Sequence, residues 1–169
     1  MLRAVPKSLF SADYLIERDG KRIGDLKLSQ STTTALLIKR TPVVAFHLQG
    51  QDYELSAEVA STSIPFLGKL KKAVLAREGR EIAWAEPSAG FHHFTVHWND
   101  RQFELNGRFW TWQKLVRLTE SDRDVGSIQR GIFSKRADLD LPDDVSTAVQ
   151  AFILWLALWR WKSSTPSMD

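Results

Sequence analysis

Three groups of side chains in this sequence are spaced so that they could do chemistry. The densest basic run is Gly68-Lys69-Leu70-Lys71-Lys72, with Arg77 and Arg80 close behind it. Clustered Lys and Arg attract anionic lipid headgroups, at about 1 kcal/mol for each base near the surface. Phe66 and Leu67 stand beside the run as apolar residues able to insert. The same lysines on a hairpin edge would also serve to keep a strand from pairing with another chain. In Phe109-Trp110-Thr111-Trp112 the two tryptophans share one face of a strand. Such a pair either packs into a core or makes an exposed aromatic face for a partner. Lys69, Lys71, Lys72, Arg77 and Arg80 are therefore the candidate headgroup contacts, and Trp110 and Trp112 the candidate interaction face.

The third group is the polar clusters that resemble metal or catalytic sites. His93 and His97 are four apart in His92-His93-Phe94-Thr95-Val96-His97. On a strand they share a face but lie ~13 Å apart, too far to chelate one ion, and His92 points to the other face. Asp138, Asp140, Asp143 and Asp144 offer oxygen ligands of the type a hard cation takes. Their place just before an apolar helix is explained equally by capping and the helix dipole. No metal is assigned. The chain has no cysteine, which removes disulfides, thiol catalysis and Cys-ligated zinc. It has no Gly-x-Ser-x-Gly, no Walker loop and no Gly-x-Gly-x-x-Gly. No catalytic residue and no cofactor is predicted, and the reading leans away from an enzyme.

The elements that must position these residues are mostly short strands. Tyr14 to Arg18 meets Asp19-Gly20 and continues as Lys21 to Ser29. Asp-Gly between two such runs signals a hairpin, because the turn needs positive φ. Val43–Leu48 turns at Gln49-Gly50 into Tyr53–Val59, and Ala73–Arg77 turns at Glu78-Gly79 into Glu81–Ala85. His92–Trp98 turns at Asn99-Asp100 into Gln102–Leu105, and Leu115–Thr119 turns near Asp122-Arg123 into Val125–Gln129. With Thr34–Lys39, these make about eleven strands at a spacing typical of a barrel or sandwich. Ser61–Lys72, broken by Pro65 and Gly68, reads as a loop. Gly24-Asp25-Leu26 and Gly126-Ser127-Ile128 form a faint internal echo.

The last element differs from the rest. Residues 143–162 read as one helix, and no residue from Ala151 to Trp159 is polar. A helix apolar on every side must be buried in protein or in lipid. Spanning a bilayer takes about 20 apolar residues, and Ser146, Thr147 and Gln150 interrupt this run early, so a protein core is expected. A helix ~10–12 Å across needs a closed sheet wider than eight strands. The fold expected is mainly β: a closed antiparallel barrel of about twelve strands around a buried C-terminal helix. The whole chain, 1–169, forms one domain, with 1–10 and 163–169 as flexible ends.

Two segments give this pattern a family resemblance. Asp124-Val125-Gly126-Ser127-Ile128-Gln129-Arg130 looks like a late Gly-x-Ile strand, and Leu139-Asp140-Leu141-Pro142-Asp143-Asp144-Val145 runs into the apolar helix. Together with the hairpin-rich body, they resemble the tubby C-terminal-like superfamily of tubby proteins, phospholipid scramblases and LURP-one-related proteins. The resemblance implies a twelve-stranded barrel around a hydrophobic helix and a role at membrane lipid. The Cys-rich acylation stretch of scramblases has no counterpart here. The acids from Asp138 to Asp144 lack the spacing of their calcium segment, and no phosphoinositide-binding residue is carried over.

If the helix fills the barrel, function belongs to the outer face or the ends. The expected role is a non-enzymatic module that binds anionic, phosphoinositide-like membrane lipid peripherally. The alternative is a protein-interaction or structural role through the Trp face. A net charge of +3 without a dense basic stripe argues against nucleic acid as a partner. Met1–Phe10 has no secretory apolar stretch, and a cysteine-free chain suits the cytoplasm.

Overall fold

The computed structural model describes residues 1–8, 13–27, 43–60, 69–88, 93–107, 114–131 and 135–163. The chain begins with β1 (Leu2–Pro6), β2 (Asp13–Arg18), β3 (Lys21–Lys27), β4 (Val43–Leu48), β5 (Gln51–Ala60) and β6 (Lys69–Arg77). It continues through β7 (Arg80–Pro87), β8 (His93–Trp98), β9 (Arg101–Gly107), β10 (Lys114–Glu120), β11 (Arg123–Arg130) and β12 (Ala137–Asp140). One helix, α1 (Thr147–Ser163), ends the described chain. Each strand pairs antiparallel with the next, and β1 pairs with β12 through Leu2↔Leu139 and Ala4↔Ala137, which closes a twelve-stranded barrel.

Local chemistry explains the meander. The tight turns put Asp19, Gln49, Glu78 and Asn99 at φ between 50° and 53°. That left-handed geometry gives a two-residue hairpin the twist of its strands. Between turns, burial alternates with period 2, as in β9, where Phe103 and Leu105 are buried and Gln102 and Glu104 exposed.

The inward residues meet the helix. Every side chain of α1 from Ala148 to Trp159 is buried, so the helix has no outer face and needs none. Room for it comes from small inward residues on the wall, among them Ala4, Ala57, Ala73, Ala83, Ala85 and Ala137, all buried. Ser146 starts the helix: its hydroxyl accepts from the Val149 amide at 3.4 Å and its carbonyl from the Gln150 amide at 3.0 Å, as an N-cap residue does. Among the described residues, no helix is long and apolar enough to cross a membrane.

The Gly24 and Gly126 echo has a structural meaning. A Cβ on Gly24 would collide with the His47 carbonyl, and one on Gly126 with the Asp140 carbonyl. At both places the neighbouring strand comes too close for a side chain. Each glycine sits beside a bulge, between Ile16 and Glu17 or between Leu118 and Thr119, where the sheet twists more strongly.

Several elements differ from the sequence reading. Leu2–Pro6 is not a loose end: Leu2 and Ala4 are fully buried and the strand closes the barrel. Lys69–Lys72 is the start of β6 and pairs with Glu58–Ala60, rather than lying in a loop. The helix begins at Thr147, because residues 143–146 form the turn that leads the chain into the barrel. Thr34–Lys39 lies outside the described residues.

Candidate functional site

The filled barrel leaves two ends and an outer wall. At one end, here the turn end, are the two-residue hairpins and the start of α1. There an Arg18 Nη donates to Thr147 Oγ1 at 2.9 Å and the other to Gln150 Oε1 at 3.3 Å. Arg101 closes the same end. Its guanidinium engages both Glu120 oxygens at 2.6 and 2.8 Å and Asp144 Oδ2 at 2.8 Å, over the Trp98 and Phe103 rings. The Arg101 hydrogen bond holds the Glu120 carboxyl below the usual carboxylate range, against a smaller opposing effect of burial. These contacts fasten the turn before α1 to the barrel rim.

At the other end the helix exits. The two ends differ in charge. Among the two strand residues nearest each end, and the described residues that link them, the helix-exit end has seven bases against three acids. The bases are Lys7, Lys27, Lys69, Lys114, Arg130, Lys135 and Arg136, and the acids Asp13, Glu86 and Asp138. The turn end has twelve acids against eight bases. Arg160 and Lys162 of α1 also stand at the helix-exit end, where bases complement the negative end of the helix dipole. The strand ends there are joined by residues 9–12, 28–42, 61–68, 89–92, 108–113 and 132–134, outside the described residues. In sequence these carry Lys39, Arg40 and Arg108, several aromatics including Phe66, Phe109 and Phe133, and no Asp or Glu.

This polarity divides the basic run. Lys69, Lys71 and Lys72 stand toward the helix-exit end of β6, and Arg77 and Arg80 stand at the turn end. Eight residues of strand separate Lys69 from Arg77, ~26 Å by strand rise. Lys71 Nζ is 3.8 Å from Glu58 Oε1, and Lys72 Nζ lies 3.2 Å from Glu81 Oε2 and 4.9 Å from the Trp84 ring centre. Arg77 donates to Gln51 Oε1 at 2.9 Å and reaches Glu78 at 3.7 Å, while Arg80 is exposed. Trp110 and Trp112 lie outside the described residues, in the sequence between Gly107 of β9 and Lys114 of β10.

His97 packs on the outer wall. His97 stacks on Trp84 with ring centres 3.8 Å apart, and its Nε2 is 3.6 Å from Glu86 Oε1. His92 is outside the described residues. Among those described, no three His, Asp or Glu side chains gather as metal ligands. Three of the acids before the helix engage arginines: Asp138 with Arg3 and Arg136, Asp143 with Arg18, and Asp144 with Arg101.

One group escaped the sequence reading. Arg130 follows the buried Ile128 on the inward register of β11 and lies at the mouth of the barrel. Its guanidinium carbon is 5.6 Å from the Trp161 ring centre. Burial pushes the Arg130 guanidinium below its usual range, while the Tyr14 phenol acts weakly the other way. Burial likewise raises the Tyr14 hydroxyl, opposed by the charge of Arg130. Period-2 counting from Ile128 was the signal that would have found it.

No family model matches the chain, and neither a curated protein nor a solved structure matches it.

Proposed function

We propose that this protein is a non-enzymatic binding module that sets the helix-exit end of its barrel against an anionic membrane surface. Kinship with the tubby-like superfamily is part of the same proposal, and the twelve-stranded barrel around a C-terminal helix supports it. The observation that carries the functional reading is the segregation of charge between the two ends. A surface whose net charge is positive at one end and negative at the other is oriented by a negative membrane, its positive end drawn to it. Aromatic residues mixed with bases suit the headgroup layer, and the segments joining strands at this end have both in sequence.

Flotation with vesicles tests this. The full chain should associate with vesicles containing anionic lipid at low salt and leave neutral ones alone. Association should fall steeply toward 1 M salt, where the screening length shrinks to about 3 Å. Replacing Lys69, Lys71 and Lys72 together by Gln should weaken association about tenfold to hundredfold, at up to ~1 kcal/mol per base. Arg77→Gln with Arg80→Gln, at the other end, should change it little. Failure of the native chain to float with anionic vesicles at low salt would remove the reading and turn attention to a protein partner for the Trp110 and Trp112 segment.

A further inference from the structure

The Gly24 and Gly126 echo extends well beyond two glycines. Ile16–Gly24, Leu75–Ala83 and Leu118–Gly126 are each nine residues long and fold into the same hairpin. Each turns through two residues at positive φ: Asp19-Gly20, Glu78-Gly79 and Ser121-Asp122. Each has a bulge after its first residue, and Ile23, Ile82 or Val125 then packs partly buried against the core. The strand pair that follows each hairpin matches as well, with Phe46↔Tyr53, Val96↔Phe103 and Leu139↔Leu2 in corresponding places. So do the pairings between them. Gly24 faces Leu48 as Ala83 faces Trp98, and Ala85 faces Val96 as Ile128 faces Leu139. Leu55↔Leu75, Leu105↔Leu118 and Ala4↔Ile16 complete the correspondence. Four strands thus recur as β2–β5, as β6–β9, and as β10–β12 with β1. In the third unit the last two strands have no turn between them: β12 runs on into α1, and β1 comes from the other end of the chain.

The rim shows what holds each junction between units. Arg18, Arg77 and Glu120 occupy one position, two residues beyond Ile16, Leu75 and Leu118. Arg77 donates to Gln51 Oε1 of the preceding unit at 2.9 Å, and Glu120 accepts from Arg101 of the preceding unit at 2.6 and 2.8 Å. Gln51 and Arg101 match too, each two residues before Tyr53 and Phe103. Arg18 instead donates to α1, to Thr147 Oγ1 at 2.9 Å and Gln150 Oε1 at 3.3 Å. We propose that the barrel is a ring of three equivalent units, open between β12 and β1, and that the first turn of α1 is the latch that holds the open unit shut through Arg18. The helix continues from β12, and Arg18 lies on β2 opposite Leu2 of β1. The latch therefore spans the gap that a hairpin turn spans in the other two units. Such a ring has one line along which it opens without unfolding the rest.

Two measurements on the full chain test this. In the first, Leu75–Ala83 is replaced by the sequence of Ile16–Gly24. Equivalent units predict cooperative unfolding with a midpoint within roughly 5 °C of the native one. The sequence of Phe46–Glu54 has the same length and turn position but no bulge. Grafted at the same place it puts Glu54 at the buried Ala83 position, and the chain should fail to fold. A first graft no better tolerated than the second overturns the repeat. The second measurement is hydrogen exchange, read strand by strand. β1 and β12 should exchange about tenfold or more faster than the β4–β5 and β8–β9 pairs, and Arg18→Gln should speed β1 and β12 roughly tenfold further while leaving those pairs unchanged. Arg77→Gln, at the matching position, should leave β1 and β12 as they are. Equal acceleration of every strand by Arg18→Gln overturns the latch. So does acceleration of β1 and β12 by both variants alike, or native exchange in β1 and β12 as slow as in the turn-linked pairs. Should Arg18→Gln fail to fold, Arg18→Lys, which keeps the charge without the fork, gives the same strand-by-strand comparison.

Discussion

Gln150 gives the sharpest test of how the central helix is held. It is 2% exposed, within the buried stretch Ala148–Trp159, where every other residue is apolar. Simple hydrophobic reasoning expects Gln150→Met, which keeps the length and suits a helix equally well, to be neutral or stabilising. The structure argues the opposite. Gln150 Nε2 donates to the Val145 carbonyl at 2.8 Å and, at longer range, to Pro142 O at 3.4 Å, and its Oε1 accepts from Arg18 at 3.3 Å. Methionine would strand the Val145 carbonyl, at about 1–3 kcal/mol, and remove an acceptor from a charged donor, at ~1 kcal/mol for so long a bond. Apolar transfer returns about 1 kcal/mol, so the net loss is about 2 kcal/mol. For a chain of this size that lowers the melting midpoint by roughly 4–8 °C. Thermal unfolding and urea titration should show the drop, with the urea slope unchanged. Gln150→Glu keeps an acceptor for Arg18 but sets a carboxylate oxygen, which cannot donate, against the Val145 carbonyl, so it too should lower the midpoint. A Gln150→Met midpoint equal to or above that of the native chain would refute the reasoning, and the helix would then be held by apolar burial alone.

Other outcomes follow from the same structure. Gly126→Ala and Gly24→Ala should each destabilise by about 3 kcal/mol, seen by thermal unfolding, because the added carbon meets a backbone carbonyl of the next strand that cannot yield. The Glu120 carboxyl is lowered when folded by Arg101. Its contribution to stability is therefore complete above the unfolded-chain carboxyl pKa and lost as pH falls through the lower folded value. Glu120→Gln should flatten that part of the acid limb of a stability–pH curve, and an unchanged limb would count against the Arg101 clasp. Glu78→Asn should raise stability by about 0.5 kcal/mol, since Glu78 holds φ 53° in its turn and Asn tolerates that region better; a lower midpoint would contradict the turn assignment.

Much of the architecture was local and therefore legible in the sequence. Alternation with period 2 and turn residues such as Asp19-Gly20 depend on neighbours a few positions away, and the hairpin strands they predict are present, Thr34–Lys39 lying outside the described residues. The all-apolar run from Ala151 to Trp159 called for burial on every side, which a closed sheet provides. The paired Gly-x-apolar segments were visible as a repetition, but the carbonyls that demand them belong to His47 and Asp140 on adjacent strands. β1 was missed because five residues ending in proline carry little pattern; they become a strand only by pairing with β12 at the far end of the chain. The basic run from Lys69 to Arg80 read as one patch because sequence proximity looks like spatial proximity, whereas an extended strand carries its residues to opposite ends. What tertiary structure alone decided is which residues share an end of the barrel. Arg130, Tyr14 and Trp161 come from three distant parts of the chain, and only ring closure around the helix brings them to one mouth, since no local interaction encodes a distance across the ring.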